Sequence, residues 1–189
     1  MGRSFAVVAV LAIAGCGGAQ HAPAPPTATP YAAHGLTVAL PPGWRAAPRS
    51  LTPHLVDPRE QLSVATFPLR YRDSRCAQFP GSALADLGPR DALVTLQERG
   101  NHTTKLFAAR PARFAPGAGT ADISQAHACT PGGGQFTDRW LEFSDRGRNF
   151  YALVAFGPSA SASTKRAAWR ILDGLRVDPA VRPTWPDSP

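Results

Sequence analysis

FTDRWLEF at residues 136–143 and NFYALVAF at residues 149–156 flank Ser144-Asp145-Arg146-Gly147-Arg148. Two runs rich in aromatic and branched residues, joined by a polar segment with Asp and Gly, predict a β-hairpin. Side chains alternate along a strand. Phe136, Asp138, Trp140 and Glu142 therefore share one face, and Thr137, Arg139, Leu141 and Phe143 share the other. Both faces mix apolar and charged groups, so neither reads as a clean solvent face.

C-terminal to the hairpin, the spacing predicts a helix over residues 160–175 with Ser159 as N-cap. Ala168, Ile171, Leu172 and Leu175 recur at spacings of three and four, and Thr164 and Ala167 extend the stripe. Lys165, Arg166, Arg170 and Asp173 take the polar side. Gly174 weakens the last turn, and Leu175-Arg176-Val177 leads into a short closing segment. Residues 179–189 form a proline-rich tail that contains Trp185.

On the N-terminal side, Leu36-Thr37-Val38-Ala39-Leu40 alternates as a half-buried strand does. Pro41-Pro42-Gly43 breaks it, and Trp44 plugs the sheet end. Residues 62–69 read as a second strand limited by Pro68. Residues 82–87 read as a short helix stopped by Gly88-Pro89, and residues 92–97 as a third strand. A short strand is expected near residues 112–114, and a loop over residues 116–134. Strands, a short helix, a hairpin and a terminal helix make an α+β domain: an antiparallel sheet with the C-terminal helix packed on one face. The domain is expected to span residues 34–178.

Gly35-Leu36, Val38, Leu40-Pro41 and Gly43-Trp44 resemble the opening of PsbP-like domains and of small secreted lipoproteins of high-GC bacteria. That resemblance implies an α/β/α sandwich without an intrinsic catalytic site, acting as a binding or accessory domain.

The N-terminus concerns location. Arg3 precedes a nine-residue apolar run, Phe5 to Ile13. A bilayer-spanning helix needs roughly 20 residues, so the run fits the h-region of a secretory signal instead. Leu11-Ala12-Ile13-Ala14-Gly15-Cys16 resembles the bacterial lipobox. The resemblance implies a signal peptide over residues 1–15, cleavage after Gly15, and acylation of Cys16, so that the protein is held to a membrane by lipid. Residues 17–33 are rich in Pro, Ala and Gly, and with Cys16 they read as an extended tether. The expected compartment is extracytoplasmic: the outer face of the cell membrane, or an outer membrane in a Gram-negative cell.

Three cysteines are present: Cys16, Cys76 and Cys129. Lipidation of Cys16 leaves two, and an exported domain is expected to pair them. Closing a loop of roughly 50 residues in this way contributes about 4 kcal/mol in the chain-entropy model. The alternative is a redox, metal-binding or nucleophilic cysteine, with His127 two residues from Cys129.

The net charge is +7, and Lys105 and Lys165 are the only lysines. The arginines are scattered singly without interleaved aromatics, which disfavours nucleic acid as a partner. Their bland reading is a compositional bias, and their sharper one is attraction to anionic headgroups or cell-wall polymers.

Catalytic motifs do not accumulate. Gly100-Asn101-His102 matches the GNH block of calcineurin-like phosphoesterases, but Thr103 follows and the partner metal-ligand blocks are missing, so it reads as a turn. His21, His34, His54, His102 and His127 show no helical i, i+4 pair or HExxH, so no metal site or cofactor is called. No GxSxG elbow occurs. Gly132-Gly133-Gly134 is not followed by a helical pattern, which argues against a phosphate loop. A non-enzymatic binding or accessory lipoprotein is the first expectation, with a groove between sheet and terminal helix as its default ligand site. An envelope hydrolase with dispersed catalytic residues is the alternative.

Overall fold

The computed structural model describes residues 27–72, 76, 78–100, 106–130 and 134–181. Among these described residues twelve elements follow in order: β1 (Thr29–Ala33), β2 (Leu36–Leu40), β3 (Arg45–Ala46), β4 (Arg59–Ala65), α1 (Gly81–Asp86), β5 (Ala92–Arg99), β6 (Thr120–Ala121), α2 (Ser124–Ala128), β7 (Thr137–Asp145), β8 (Arg148–Phe156), α3 (Ala162–Asp173) and β9 (Arg176–Val177). The fold is α+β. A six-stranded antiparallel sheet runs β3-β4-β5-β8-β7-β6, and a three-stranded one runs β1-β2-β9.

The hairpin organises the large sheet. β7 and β8 pair from Thr137↔Phe156 to Asp145↔Arg148. The connection is tighter than the five polar residues predict: only Arg146 and Gly147 lie outside the strands, with φ of 51° and 75°. Two successive positive φ values give a type I′ turn, whose twist matches that of the strands. β5 then pairs along its whole length with β8, from Ala92↔Phe156 to Arg99↔Asn149. Both faces of this β5-β8-β7 unit are covered, which explains the mixed alternation in its sequence.

Ala92, Val94, Leu96, Leu141, Phe143, Phe150, Ala152 and Val154 face one core. Ala167, Ala168, Ile171 and Leu172 of α3 close it, with Leu36, Val38 and Leu40 of the small sheet beside them. Leu93, Leu153 and Ala155 face the opposite core, under Ala83 and Leu84 of α1 and Ala126 of α2. The C-terminal helix therefore packs on one face, and two short helices and loops cover the other. The α3 N-cap is Ser161 rather than Ser159: its Oγ accepts from Thr164 N at 3.1 Å.

Several expected boundaries are corrected. Residues 29–33 are not tether but the strand β1, paired to β2 from Thr29↔Leu40 to Ala33↔Leu36. Pro30 is tolerated because β1 is an edge strand, and Tyr31 packs on the first core. At the other end Asp178 N donates to Gly35 O at 2.8 Å, which ties the residue after β9 to the β1–β2 turn. The second strand starts at Arg59 and ends at Ala65, before Pro68. No strand forms at residues 112–114. That segment is strapped to α3 instead, through Phe114 N to Asp173 Oδ1 at 2.8 Å and Arg110 Nη1 to Leu172 O at 3.2 Å. The expected loop over residues 116–134 contains β6 and α2.

Burying a sheet on both faces leaves polar groups that need partners. Glu60 Oε2 accepts from Ser50 Oγ, Leu51 N, Thr52 N and Thr52 Oγ1 at 2.8–3.0 Å, and Oε1 accepts from Ser63 Oγ at 2.6 Å. These bonds fold the loop before β4 back onto the sheet. Arg148 holds Glu98 through two bonds, Nε to Oε1 at 2.7 Å and Nη2 to Oε2 at 2.6 Å. Its Nη2 also donates to His34 O at 3.3 Å, which ties the β1–β2 turn to the large sheet.

Removing one member of a buried ion pair strands the other charge, at about 3–5 kcal/mol, whereas replacing both is far cheaper. Arg148→Met alone is expected to destabilise by that amount in urea unfolding. Adding Glu98→Gln should recover a large part of the loss, and strictly additive effects in the double-mutant cycle would refute this account.

Candidate functional site

The residues with chemical potential gather at the β6 edge. Gly119, at φ +78°, lies so close to the Trp140 carbonyl that a Cβ there would overlap it. This approach lets β6 pair briefly with β7, Thr120↔Trp140 and Ala121↔Arg139. The chain leaves the edge at Asp122, which takes a left-handed φ of 52°. Ile123 N then donates to Asp138 Oδ1 at 3.0 Å, fixing the start of α2 against β7. Ala126 enters the second core, and His127 extends toward Asp138 with its ring stacked on Phe136 at 4.2 Å.

Cys129, directly after α2, forms a disulfide with Cys76, with Cα atoms 5.4 Å apart and a sequence separation of 53. The bridge anchors the His127 segment to the region before α1. It also removes Cys129 as a nucleophile beside His127.

The result is a constellation of one imidazole and two carboxylates. Asp122, His127 and Asp138 each offer one donor atom, all within 4.8 Å of one another. His127 Nε2 lies 3.5 Å from Asp138 Oδ2. The Asp138 side chain is 0% exposed and that of His127 is 26% exposed. Asp138 Oδ2 is buried and receives no hydrogen bond. Burial raises the Asp138 pKa above 3.8; the Ile123 hydrogen bond and the nearby His127 pull it down, but less strongly.

A cleft of about 450 Å³ opens between this edge and α3. Asp122, Thr137, Asp138 and Phe156 border it on the sheet side, and Trp169 on the helix. Arg139, Lys165 and Arg166 also line it. Lys165 Nζ sits 5.7 Å from the Phe156 ring centroid, so part of this charge lies over an aromatic face. The groove expected between sheet and terminal helix is thus present, at the sheet edge rather than over its centre.

The other candidates are dispersed. His34 lies in the β1–β2 turn with φ 52°, and its carbonyl takes the Arg148 bond. His54 is exposed in the loop before β4. Gly100 N donates to Asp57 Oδ1 at 2.8 Å, whereas Asn101 and His102 lie outside the described residues. Cys16, His21, Gly132, Gly133 and Trp185 also lie outside them. Gly134 has φ 53° and packs against Phe136, as a turn does. Sequence reasoning missed Asp122 and Asp138. The available signal was Asp138 itself, a carboxylate between Phe136 and Trp140 on a strand face that turns out to be buried.

Comparison with known protein families, curated proteins and solved structures finds no match.

A raised carboxyl pKa means that the folded protein holds the Asp138 proton more tightly than the unfolded chain does. The stabilisation is complete below the unfolded value, and it is lost as pH rises through the folded one. Asp138→Asn keeps the Oδ1 acceptor and removes the charge. In metal-free buffer its Tm should gain on the wild type as pH rises from below 3.8 toward neutrality. A Tm difference that does not change with pH, or shrinks as pH rises, would refute the assignment.

Proposed function

We propose that this chain is an extracytoplasmic lipoprotein, tethered to a membrane by acylated Cys16, whose domain binds an anionic component of the cell envelope in the cleft beside α3. The observation that carries the ligand reading is the cationic wall formed by Arg139, Lys165 and Arg166. Lys165 and Arg166 are successive residues of α3, and Arg139 of β7 lines the same cleft. Asp122 is the exposed acid opposing them, while Asp138 is buried.

The compartment reading draws on two supports. The apolar run and lipobox-like Leu11 to Cys16 segment fit export and lipidation. The Cys76–Cys129 disulfide fits an oxidising environment. Among the described residues no helix is long and apolar enough to cross a membrane. The PsbP-like opening at residues 35–44 fits an accessory role rather than catalysis.

The anchor is tested by intact mass of the protein purified from membranes. A chain beginning at acyl-Cys16 that gains the mass of two hydrogens on reduction is expected. An unlipidated or full-length chain would overturn the anchoring.

The cleft is tested with inorganic polyphosphate as a phosphate-rich polymer. Each basic side chain beside an anionic array contributes about 1 kcal/mol, so Lys165→Ala with Arg166→Ala should weaken binding by about 30-fold. The loss should shrink at high salt. Unchanged binding by the double variant would rule out the cleft as the site.

A further inference from the structure

We infer that Asp122, His127 and Asp138 form a binding site for a divalent transition-metal ion, of which Zn²⁺ is the best match, with one coordination position open. This inference stands independently of the lipoprotein reading.

The geometry suits the ion. Zn²⁺ binds imidazole nitrogen and carboxylate oxygen at about 2.0–2.2 Å in tetrahedral sites, which separates neighbouring donor atoms by about 3.3–3.5 Å. His127 Nε2 and Asp138 Oδ2 are 3.5 Å apart, a separation one ion can bridge. The third donor, on Asp122, is within 4.8 Å of both. Asp122 is exposed, so a small side-chain rotation closes the remaining gap. A mixed nitrogen and oxygen set favours zinc and its neighbours over Ca²⁺ and Mg²⁺, which prefer oxygen alone.

A second observation points to a cation. Asp138 is 2% exposed, and its Oδ2 takes no hydrogen bond. A buried carboxylate oxygen facing an imidazole, without a donor of its own, is costly. Other buried carboxylates behave differently: both oxygens of Glu60 and Glu98 receive hydrogen bonds. An ion between Asp138 and His127 would supply the missing partner.

The surroundings hold the donors in place, as outer partners do in metal sites. Ile123 N fixes Asp138 through Oδ1 and leaves Oδ2 directed at His127. Phe136 fixes the plane of the imidazole by stacking. The disulfide at Cys129 fixes the segment that carries it. Three protein ligands leave a position for water or for an anionic group, and Asp122 and Asp138 both border the cleft.

The test uses the full chain, purified without an affinity tag and stripped with chelator. Titration with ZnCl₂ alone, followed by calorimetry and by Tm, is expected to show one ion bound per chain with a stabilising shift. Ca²⁺ and Mg²⁺ should give none. Asp122→Asn changes an exposed side chain and should unfold like the wild type in chelator, yet bind Zn²⁺ more than about tenfold more weakly. His127→Gln should also bind Zn²⁺ more than about tenfold more weakly, with a lower stability in chelator because it gives up the stack on Phe136. Absence of wild-type binding would overturn the site. So would binding that survives in Asp122→Asn, whether or not His127→Gln loses it, because the ion would then sit elsewhere or on the His127–Asp138 pair alone.

Discussion

β5 and β8 are covered on both faces, and this double burial constrains everything around them. Val94, Phe150, Ala152 and Val154 on one side, and Leu93, Leu153 and Ala155 on the other, are essentially inaccessible to water. A sheet in that position cannot leave backbone or side-chain polar groups unmatched without a penalty of a few kcal/mol each. The edges are therefore two-residue strands, β3 and β6, which give a passing chain little to pair with. The charged side chains drawn into the layers meet specific partners. Glu60 gathers a loop, and Glu98 with Arg148 fastens the small sheet to the large one. Asp138 receives a hydrogen bond on one oxygen only, and its other oxygen points at an imidazole.

The same constraint explains which parts of the fold could be read from residue order. The hairpin was legible because its signal is local: two β-rich runs and a Gly-containing turn. Leu36–Leu40 was legible because its alternation is clean, and the strand has the bounds expected. β1 was hidden because Pro30 and two alanines, Ala32 and Ala33, look like linker, and only its pairing with β2 reveals it. The start of β4 was hidden because Arg59-Glu60-Gln61 is polar, and Glu60 is tolerated there through contacts with residues 50–52 and with Ser63. The helix cap was misplaced by two residues because Ser159 and Ser161 are both good caps, and local sequence does not decide between them.

The site is less legible than the fold for a related reason. Asp122, His127 and Asp138 come from a turn, a five-residue helix and a strand. Their convergence depends on the two-residue pairing of β6 with β7 and on the close approach at Gly119. None of this leaves a motif. The cysteine count did point to the bridge that holds α2, and the charge on α3 was recognised as its polar side. That Arg139 joins those charges follows only from the edge position of β7 beside the helix.

The strand β1 bears on how the anchored protein would work. Thr29 is already within the sheet, so twelve residues of sequence, 17–28, lie between Cys16 and the first strand. At about 3.1 Å per extended residue, that leash reaches no more than about 40 Å. A cleft confined to a hemisphere of that radius meets a membrane-bound ligand at an effective concentration on the order of 10 mM. A contact of only millimolar intrinsic strength would then be occupied most of the time. Weak recognition by a handful of surface charges suffices on a short leash, although it would fail for the same domain free in solution.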